Sequence, residues 1–256
     1  MSTSQPRLSV VLAVRDEQAN LNRCLKAIQD MTDDLVIVDG SSTDNTREIA
    51  KQFTPRVYRV KHQPMFHKNK QIALNKAKHN WVFQLDADEV VTSQLKKEIK
   101  AAIKSTQYAG FSLPRKNFFL GKFLTKGGQY PDRVIRLIRK DKSHFPCRSV
   151  HEQISVKGQV GELKNDLLHY PYSPISQYFT KFNHYTDLEA KELTKKLKPW
   201  SIIEYMILKP IYWFVLTYIR HKGFVDGLPG FIFSLLSSLR YPITFIKAME
   251  LKWRRK

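Results

Sequence analysis

Two cysteines in 256 residues, Cys24 and Cys147, are too few and, at 123 positions apart, too distant for a disulfide scaffold, a zinc cluster or a redox pair. They read as free thiols in a reducing compartment, which points to the cytosol. Glycine (10) and proline (12) are sparse, and no unit of about 20–50 residues recurs, so collagen-like, low-complexity and solenoid chains are excluded. Acidic residues are scarce too: 23 Asp and Glu stand against 43 Lys and Arg, for a net charge of +20. Such a field draws polyanions, whether nucleic acid, anionic lipid headgroups or phosphorylated small molecules. A long hydrophobic run is also missing. Ile202 to Ile219 reaches spanning length only by admitting Glu204, Lys209 and Pro210, and Ile211 to Ile219 is half of the roughly 20 apolar residues a bilayer span needs. The opening MSTSQPRLSVVLAVRDE carries a short apolar run closed by charges rather than by a small-residue cleavage site, so it is expected to be a first strand and not a signal peptide. Apolar mass is present in quantity: 42% of the chain is hydrophobic, with 15 Phe, 11 Tyr and 4 Trp. That suffices for the core of one domain with an appendage.

Leu8 to Val14 is apolar without polar alternation, the pattern of a strand buried on both faces of a parallel sheet. Leu21, Cys24, Leu25 and Ile28 then recur at helical spacing, and Leu35 to Val38 forms a second apolar run closed by Asp39 and Gly40. The alternation continues with a helix over Thr43 to Phe53, a strand at Val57 to Val60, a helix over Lys68 to Lys78, a strand at Trp81 to Leu85 and a helix over Thr92 to Lys104. This βαβ series predicts an α/β fold with an open sheet. Beyond Gly110 the rhythm changes to mixed strands and loops, with Phe111 to Leu113 and Val134 to Ile138 as strands. From Pro174 the chain turns helical and aromatic, over Ile175 to Leu197, Trp200 to Ile219 and Leu228 to Leu251. The expected organisation is a catalytic α/β domain over 1–160, with halves at about 1–110 and 111–160, and a helical module over 161–256. Two readings of that module stay open. Aromatic amphipathic helices followed by Lys252, Arg254, Arg255 and Lys256 suit the headgroup region of an anionic membrane surface. They equally suit a cap packed on the core.

In an open α/β sheet, ligands bind outside the carboxyl ends of the strands, and acidic residues gather there. The first strand ends at Arg15, Asp16 and Glu17, the second at Asp39, and the fourth at Asp86, Ala87, Asp88 and Glu89. Crowded carboxylates repel unless something compensates, and a divalent cation with hard oxygen ligands does so. The tripeptide Asp86-Ala87-Asp88 therefore reads as a metal site, although acidic loop triplets are often merely solvated. In Asp39-Gly40-Ser41-Ser42-Thr43-Asp44, the polar residues after Gly40 are capping candidates, Gly40 permits a tight turn, and Asp39 can accept hydrogen bonds from a nucleoside.

Taken together, LSVVLAVRDE, LVIVDGSSTDNT, KNKQIALNKA and WVFQLDADE resemble the family 2 glycosyltransferases of the GT-A fold, over about residues 7–160. LDADE, YPDRVIRLIRK, VHEQ and GFVDGLPG look like the branch that contains the lipopolysaccharide-core β-glucosyltransferases. The resemblance implies a mixed GT-A sheet and a nucleotide-sugar donor, UDP-glucose foremost. Val14, the Arg15 to Glu17 turn and Asp39 would lie near the base, Lys70 near the diphosphate and Asp86 near the ribose. Asp88 and Asp86 would hold Mn2+ or Mg2+, with His151 either reaching the metal or orienting the base. One departure is Asp16-Glu17, where the family often has Asn-Glu.

Displacing a nucleoside diphosphate from an anomeric carbon leaves charge on the departing phosphate, which a cation neutralises. Inversion needs a base on the opposite face; Glu152 is the first candidate, Asp132 the second, and Glu89 a third. Arg133, Arg136, Arg139 and Lys140 lie either on a solvated strand face or, as the concentration of charge favours for Arg133 and Arg136, against an anionic acceptor such as a lipid-linked glycan. A nucleic-acid-binding protein is the rival reading of +20. It lacks zinc-finger spacing and ribonucleoprotein motifs, and the acidic strand ends would repel phosphate, so no nucleic-acid partner is expected. The expected protein is a metal-dependent, inverting glycosyltransferase, peripheral on the cytoplasmic face of the membrane, acting on a lipopolysaccharide-core acceptor.

Overall fold

In the computed structural model, residues 7–63, 65–105, 107–147, 153–172 and 174–254 are described. Strand β1 (Leu8–Val14) is buried at all seven positions, and it organises the sheet. Strand β2 (Asp34–Asp39) lies parallel to it on one side, with β3 (Val57–Arg59) beyond, and β4 (Trp81–Leu85) lies parallel on the other. Each full burial of a Val, Leu or Phe side chain here contributes roughly 1.5–3 kcal/mol. The intervening helices are α1 (Leu21–Ile28), α2 (Thr46–Lys51) and α3 (Phe66–Lys76). Helix α1 buries Leu21, Cys24, Leu25 and Ile28, the four residues the periodicity picks out. Leu12, Phe83, Leu25 and Leu85 belong to one core cluster and Val11, Val36, Val82 and Leu74 to another, so the parallel strands are covered on both faces.

After β5 (Glu89–Val91) and α4 (Ser93–Ala102), whose start is capped by the Thr92 hydroxyl, the sheet continues in antiparallel fashion. Strands β6 (Gly110–Phe119), β7 (Lys122–Phe123) and β8 (Asp132–Arg139) are followed by a two-stranded ribbon of β9 (Ser143–His144) and β10 (Ser155–Val156). Strands β11 (Val160–Glu162) and β12 (Leu167–His169) complete the sheet, whose order is β3-β2-β1-β4-β8-β6-β12-β5, with β11 and β7 paired to β6.

Contacts group the chain into Met1–Arg115 with Arg133–His169, and Lys116–Asp132 with Tyr170–Lys256. The boundary expected near residue 160 thus moves. β11 and β12 belong with the sheet strands they pair with, and residues 116–132 group with the helices. The reason for the second shift is Asp226, buried at 1% exposure, which accepts from the backbone amides of Thr125 and Lys126 and from the Thr125 hydroxyl, each at 2.8 Å.

The second unit is built on α5 (Ile175–Leu193), α6 (Ser201–Arg220) and α7 (Leu228–Trp253). Helix α6 is π-helical over Glu204–Leu208 and Val215–Arg220. Pro210, between them, has no amide to donate to the helix. Ala190, Leu193, Phe245 and Ala248 form one small core, and Phe119, Leu124 and Tyr178 another. By length and composition α6 is one helix that could cross a membrane, and almost none of it is buried in the protein. The sequence count reaches this length only by admitting Glu204, Lys209 and Pro210, and Glu204 and Lys209 pair with each other at 2.7 Å on the helix.

Candidate active site

The carboxyl ends of three parallel strands define the site. Val14 pairs with Asp39, and Leu12 pairs with Leu85, so the residues after β2 and β4 flank the end of β1 about 10 Å apart, two strand spacings. Asp39 is fully buried; one carboxylate oxygen accepts from the Ser42 amide at 2.9 Å and the other, Oδ2, has no partner. An unpaired buried carboxylate oxygen is costly unless a donor arrives. Beside it a Cβ on Gly40 would meet Asn69 Nδ2 at 2.9 Å, and Asn69, also buried, leaves its Oδ1 without a partner. Asp39 Oδ2 and Asn69 Oδ1 are thus two buried acceptors at the end of β2.

The turn after β1 is latched to the turn after β2. Asp16 Oδ1 accepts from the Thr43 amide at 2.7 Å, Thr46 Oγ1 accepts from the Glu17 amide at 2.7 Å, and Asp44 accepts from the Gln18 amide at 3.1 Å. Thr43 and Asp44 therefore brace the two turns, which is why α2 begins at Thr46 rather than at Thr43 as the pattern predicts. Asp16 has a φ of 53°, and its side-chain oxygen serves the brace, a role the amide oxygen of an Asn could fill equally. Arg15 lies within 2.7 Å of the His62 ring.

After β4 the acids are not left to repel one another. Asp86 takes Lys70 Nζ at 2.6 Å and Gln84 Nε2 at 3.0 Å on one oxygen and Arg136 at 2.5 Å on the other. Burial by itself would raise the Asp86 carboxyl; the Arg136 guanidinium and the Lys70 ammonium outweigh it and hold the group well below the usual carboxylate range. Glu89 is fully buried, faces Arg136 at 2.5 Å and Arg115 at 3.5 Å, and accepts from the Asp86 amide at 2.9 Å. Asp88 lies 3.4 Å from His169 Nε2, at the end of β12. Pairing of β12 with β5, His169 opposite Glu89, sets that approach.

Two expectations change. Arg136 is not a surface contact for an acceptor: it is 7% exposed and its guanidinium neutralises Asp86 and Glu89. Strand β8 sits between β4 and β6, and continuing its register with β4 by one residue sets Arg136 opposite Gln84, to which it also donates. A cation inside VIRLI, read as part of a central strand, calls for buried carboxylates, which was the available signal. Glu89, the third base candidate, is enclosed by the same arginines and has no exposed surface to offer a hydroxyl. Arg133 bridges to Ser112 Oγ at 3.3 Å, the Leu163 carbonyl and Glu162. Arg139 stacks on Trp81, and Lys140 donates to the Ala77 carbonyl. Asp132 accepts from Asn117 Nδ2 at 3.3 Å. Glu152 and His151 lie outside the described residues. His169 is not among the sequence candidates because the helical module is expected from residue 161, although Leu167-Leu168-His169 has the same form as the other strands, an apolar run closed by a polar residue.

Cys24 and Cys147 are both free thiols. Burial, then the nearby Glu89, Asp88 and Asp86, push the Cys24 thiol well above its ordinary value, so it stays protonated behind the site.

Among the described residues no three His, Cys, Asp or Glu side chains form a ready metal cage. Asp88 and His169 nevertheless offer an oxygen and a nitrogen donor side by side at the rim, a set that suits a hard or borderline divalent ion completed by phosphate oxygens. Asp86, already balanced by two cations, suits the role less well than expected.

Residues 9–155 match the family described as Glycosyl transferase family 2, and the chain belongs to that family. It is 26% identical over 249 residues to the lipopolysaccharide core biosynthesis glycosyltransferase LpsC of Rhizobium meliloti, covering 91% of each chain. It is 25% identical over 262 residues to an uncharacterized glycosyltransferase of Rickettsia typhi, covering 98% of this chain and 89% of that one. Among solved structures, S. aureus TarS 1-349 in complex with UDP is similar with a TM-score of 0.50 at 14% identity, over 95% of this chain and 88% of that one. The fold is GT-A, as the sequence motifs imply.

Proposed function

We propose that this glycosyltransferase moves a hexose, with UDP-glucose as the first donor to test, onto a lipid-linked acceptor of the lipopolysaccharide core, with inversion. The observation that carries the reading is the unpaired, buried Asp39 Oδ2 beside the charge-balanced Asp86 group, at the shared carboxyl ends of β1, β2 and β4. A pyrimidine imide N–H is a fitting donor for Asp39, and the Val14 to Glu17 turn supplies the neighbouring wall. Asp86 would accept from the ribose while remaining paired with Arg136, and Lys70, once drawn from Asp86, would turn to the diphosphate. Asp88 and His169 would hold Mn2+ or Mg2+, with His151 a further candidate; such an ion supplies positive charge for the departing diphosphate. Arg133 remains the acceptor-side cation of the proposal.

The base remains Glu152 or Asp132. Replacing the true base with its amide removes proton acceptance but not donor affinity, so one of Glu152→Gln and Asp132→Asn is expected to bind UDP-glucose like wild type and to lose about 10²–10⁴-fold in transfer. Equal, full activity in both variants would reject both assignments.

Similarity to LpsC supports the acceptor class. Helix α6 supports a location at a membrane surface. Ile203, Ile207, Ile211, Val215 and Ile219 recur every fourth residue and are each about half exposed, while Ser201 and Thr217 are buried. The aliphatic face points outward, the reverse of a helix folded for water.

A further inference from the structure

Away from the strand ends, a cavity of about 570 Å3 lies within the helical unit, between the loop before α6, the first turns of α6 and the last turns of α7. Its wall is Ile202, Met206, Phe245, Ile246, Met249 and Trp253, with no acidic side chain in its lining. The size falls within the roughly 300–1,000 Å3 of small-molecule sites. These six side chains offer nothing to hold ordered water, so this wall suits an apolar group.

Two lysines, Lys198 and Lys252, complete the lining. Lys198 Nζ lies 5.2 Å from the Trp200 ring, and Trp200 and Trp253 are 58% and 66% exposed. Indole rings with ammonium groups next to an aliphatic slot match the depth profile of a lipid monolayer, where aromatics and lysines sit at headgroup level and chains below. The slot adjoins the outward aliphatic face of α6, because Ile202 and Met206, themselves 54% and 40% exposed, immediately precede Ile203 and Ile207 of that face.

We infer that this cavity is a binding site for one acyl chain of an anionic phospholipid of the bilayer, with Lys198 and Lys252 pairing with its phosphate. Charge complementarity decides the class of occupant. An anionic headgroup brings net negative charge to the two exposed ammonium groups, whereas the choline of a zwitterionic lipid offsets its own phosphate and an apolar peptide supplies no anion. The inference rests on the membrane-surface reading of the helices and adds a defined site to it: the unit holds a particular lipid rather than merely adsorbing. Such a bound lipid would fix how far α6 enters the leaflet, since Ile211, Val215 and Ile219 lie further along the same helix.

The test uses the full chain on vesicles of phosphatidylglycerol and phosphatidylcholine in equal parts, with a photoactivatable diazirine in the acyl chain of one lipid at a time. Labelling mapped by peptide mass spectrometry is expected to concentrate on Met206, Ile246 and Met249 when phosphatidylglycerol carries the probe. It is expected to fall severalfold when phosphatidylcholine carries it. Lys198→Gln with Lys252→Gln should lower partition onto these vesicles roughly thirtyfold, from about 1 kcal/mol per lysine near an anionic surface, and abolish the preference. Met206→Trp, which fills the slot, should remove cavity labelling while leaving helicity by circular dichroism unchanged. Should that variant misfold, the two-lysine variant carries the test alone. Labelling spread along Ile211, Val215 and Ile219 but absent from the cavity overturns the inference and keeps the membrane reading. Equal labelling from both lipids, or suppression of labelling by inorganic phosphate alone, overturns the assignment to an anionic phospholipid. UDP binding measured on the same samples is independent: its absence in the wild type would count against the transferase reading and leave the lipid result standing.

Discussion

Arg136 carries more of the site than its position in a basic strand suggests. Its guanidinium faces Asp86 and Glu89 at 2.5 Å each, inside the protein. Removing one partner of a buried ion pair leaves uncompensated charge, commonly at about 3–5 kcal/mol. Arg136→Met is therefore expected to lower the unfolding free energy by that order in urea titration, whereas a merely solvated arginine would cost nothing measurable. At the other end of the parallel strands, Asp34 gives the sheet a pH signature. Burial raises its carboxyl, but the Ser9 hydroxyl, the Lys78 amide and Arg56 outweigh burial and leave it below the usual value. A group depressed in the folded state stabilises above its unfolded value, near pH 3.9, and that contribution disappears as pH falls towards the folded value. Asp34→Asn is expected to lower stability by about 1–3 kcal/mol at neutral pH, with the gap to wild type closing below about pH 4. A gap that widened in acid would contradict the assignment.

At the scale of elements, the segment GFVDGLPG explains itself once folded. A Cβ on Gly230 would stand 2.0 Å from the Gly223 carbonyl oxygen, and Asp226 between them holds the 125–126 turn. Gly230→Ala is expected to destabilise the helical unit by at least about 1–3 kcal/mol, the usual cost of overpacking, seen as an earlier thermal transition. An unchanged transition would mean that the close approach is not required. The same scale shows what the sequence could convey. Runs such as Leu8–Val14 and Trp81–Leu85 are legible to the residue because burial on both faces leaves no polar position to blur their ends. The start of α2 was not, because Thr43 and Asp44 are spent on a neighbouring turn that only the tertiary fold brings near. Strand β12 is three residues long and is fixed by pairing with β5, so His169 could be connected to Asp88 only through the sheet.

For the whole molecule, a charge of +20 coexists with an acidic donor site. The cations nearest the acids, Lys70, Arg115 and Arg136, are committed to them, so the excess is left for other surfaces. The motifs at the strand ends marked Asp39, Asp86 and Asp88 from composition and placement alone, and the sheet brings those ends together as expected. The partners that meet Asp86 and Asp88, namely Arg136 and His169, depend on pairing across the sheet and are not visible in local spacing. The central claim is that the end of β2 receives a uridine nucleotide while Asp88, with His169, holds the divalent ion beside its diphosphate. Isothermal titration of UDP into the full chain, with and without Mn2+, tests it most directly in wild type, Asp88→Ala and Asp39→Ala. Mn2+ is expected to tighten binding in wild type and to have no effect in Asp88→Ala, while Asp39→Ala loses roughly 10–100-fold with or without the metal, the worth of one charge-assisted hydrogen bond. Undiminished Mn2+ enhancement in Asp88→Ala, or wild-type affinity in Asp39→Ala, would contradict it.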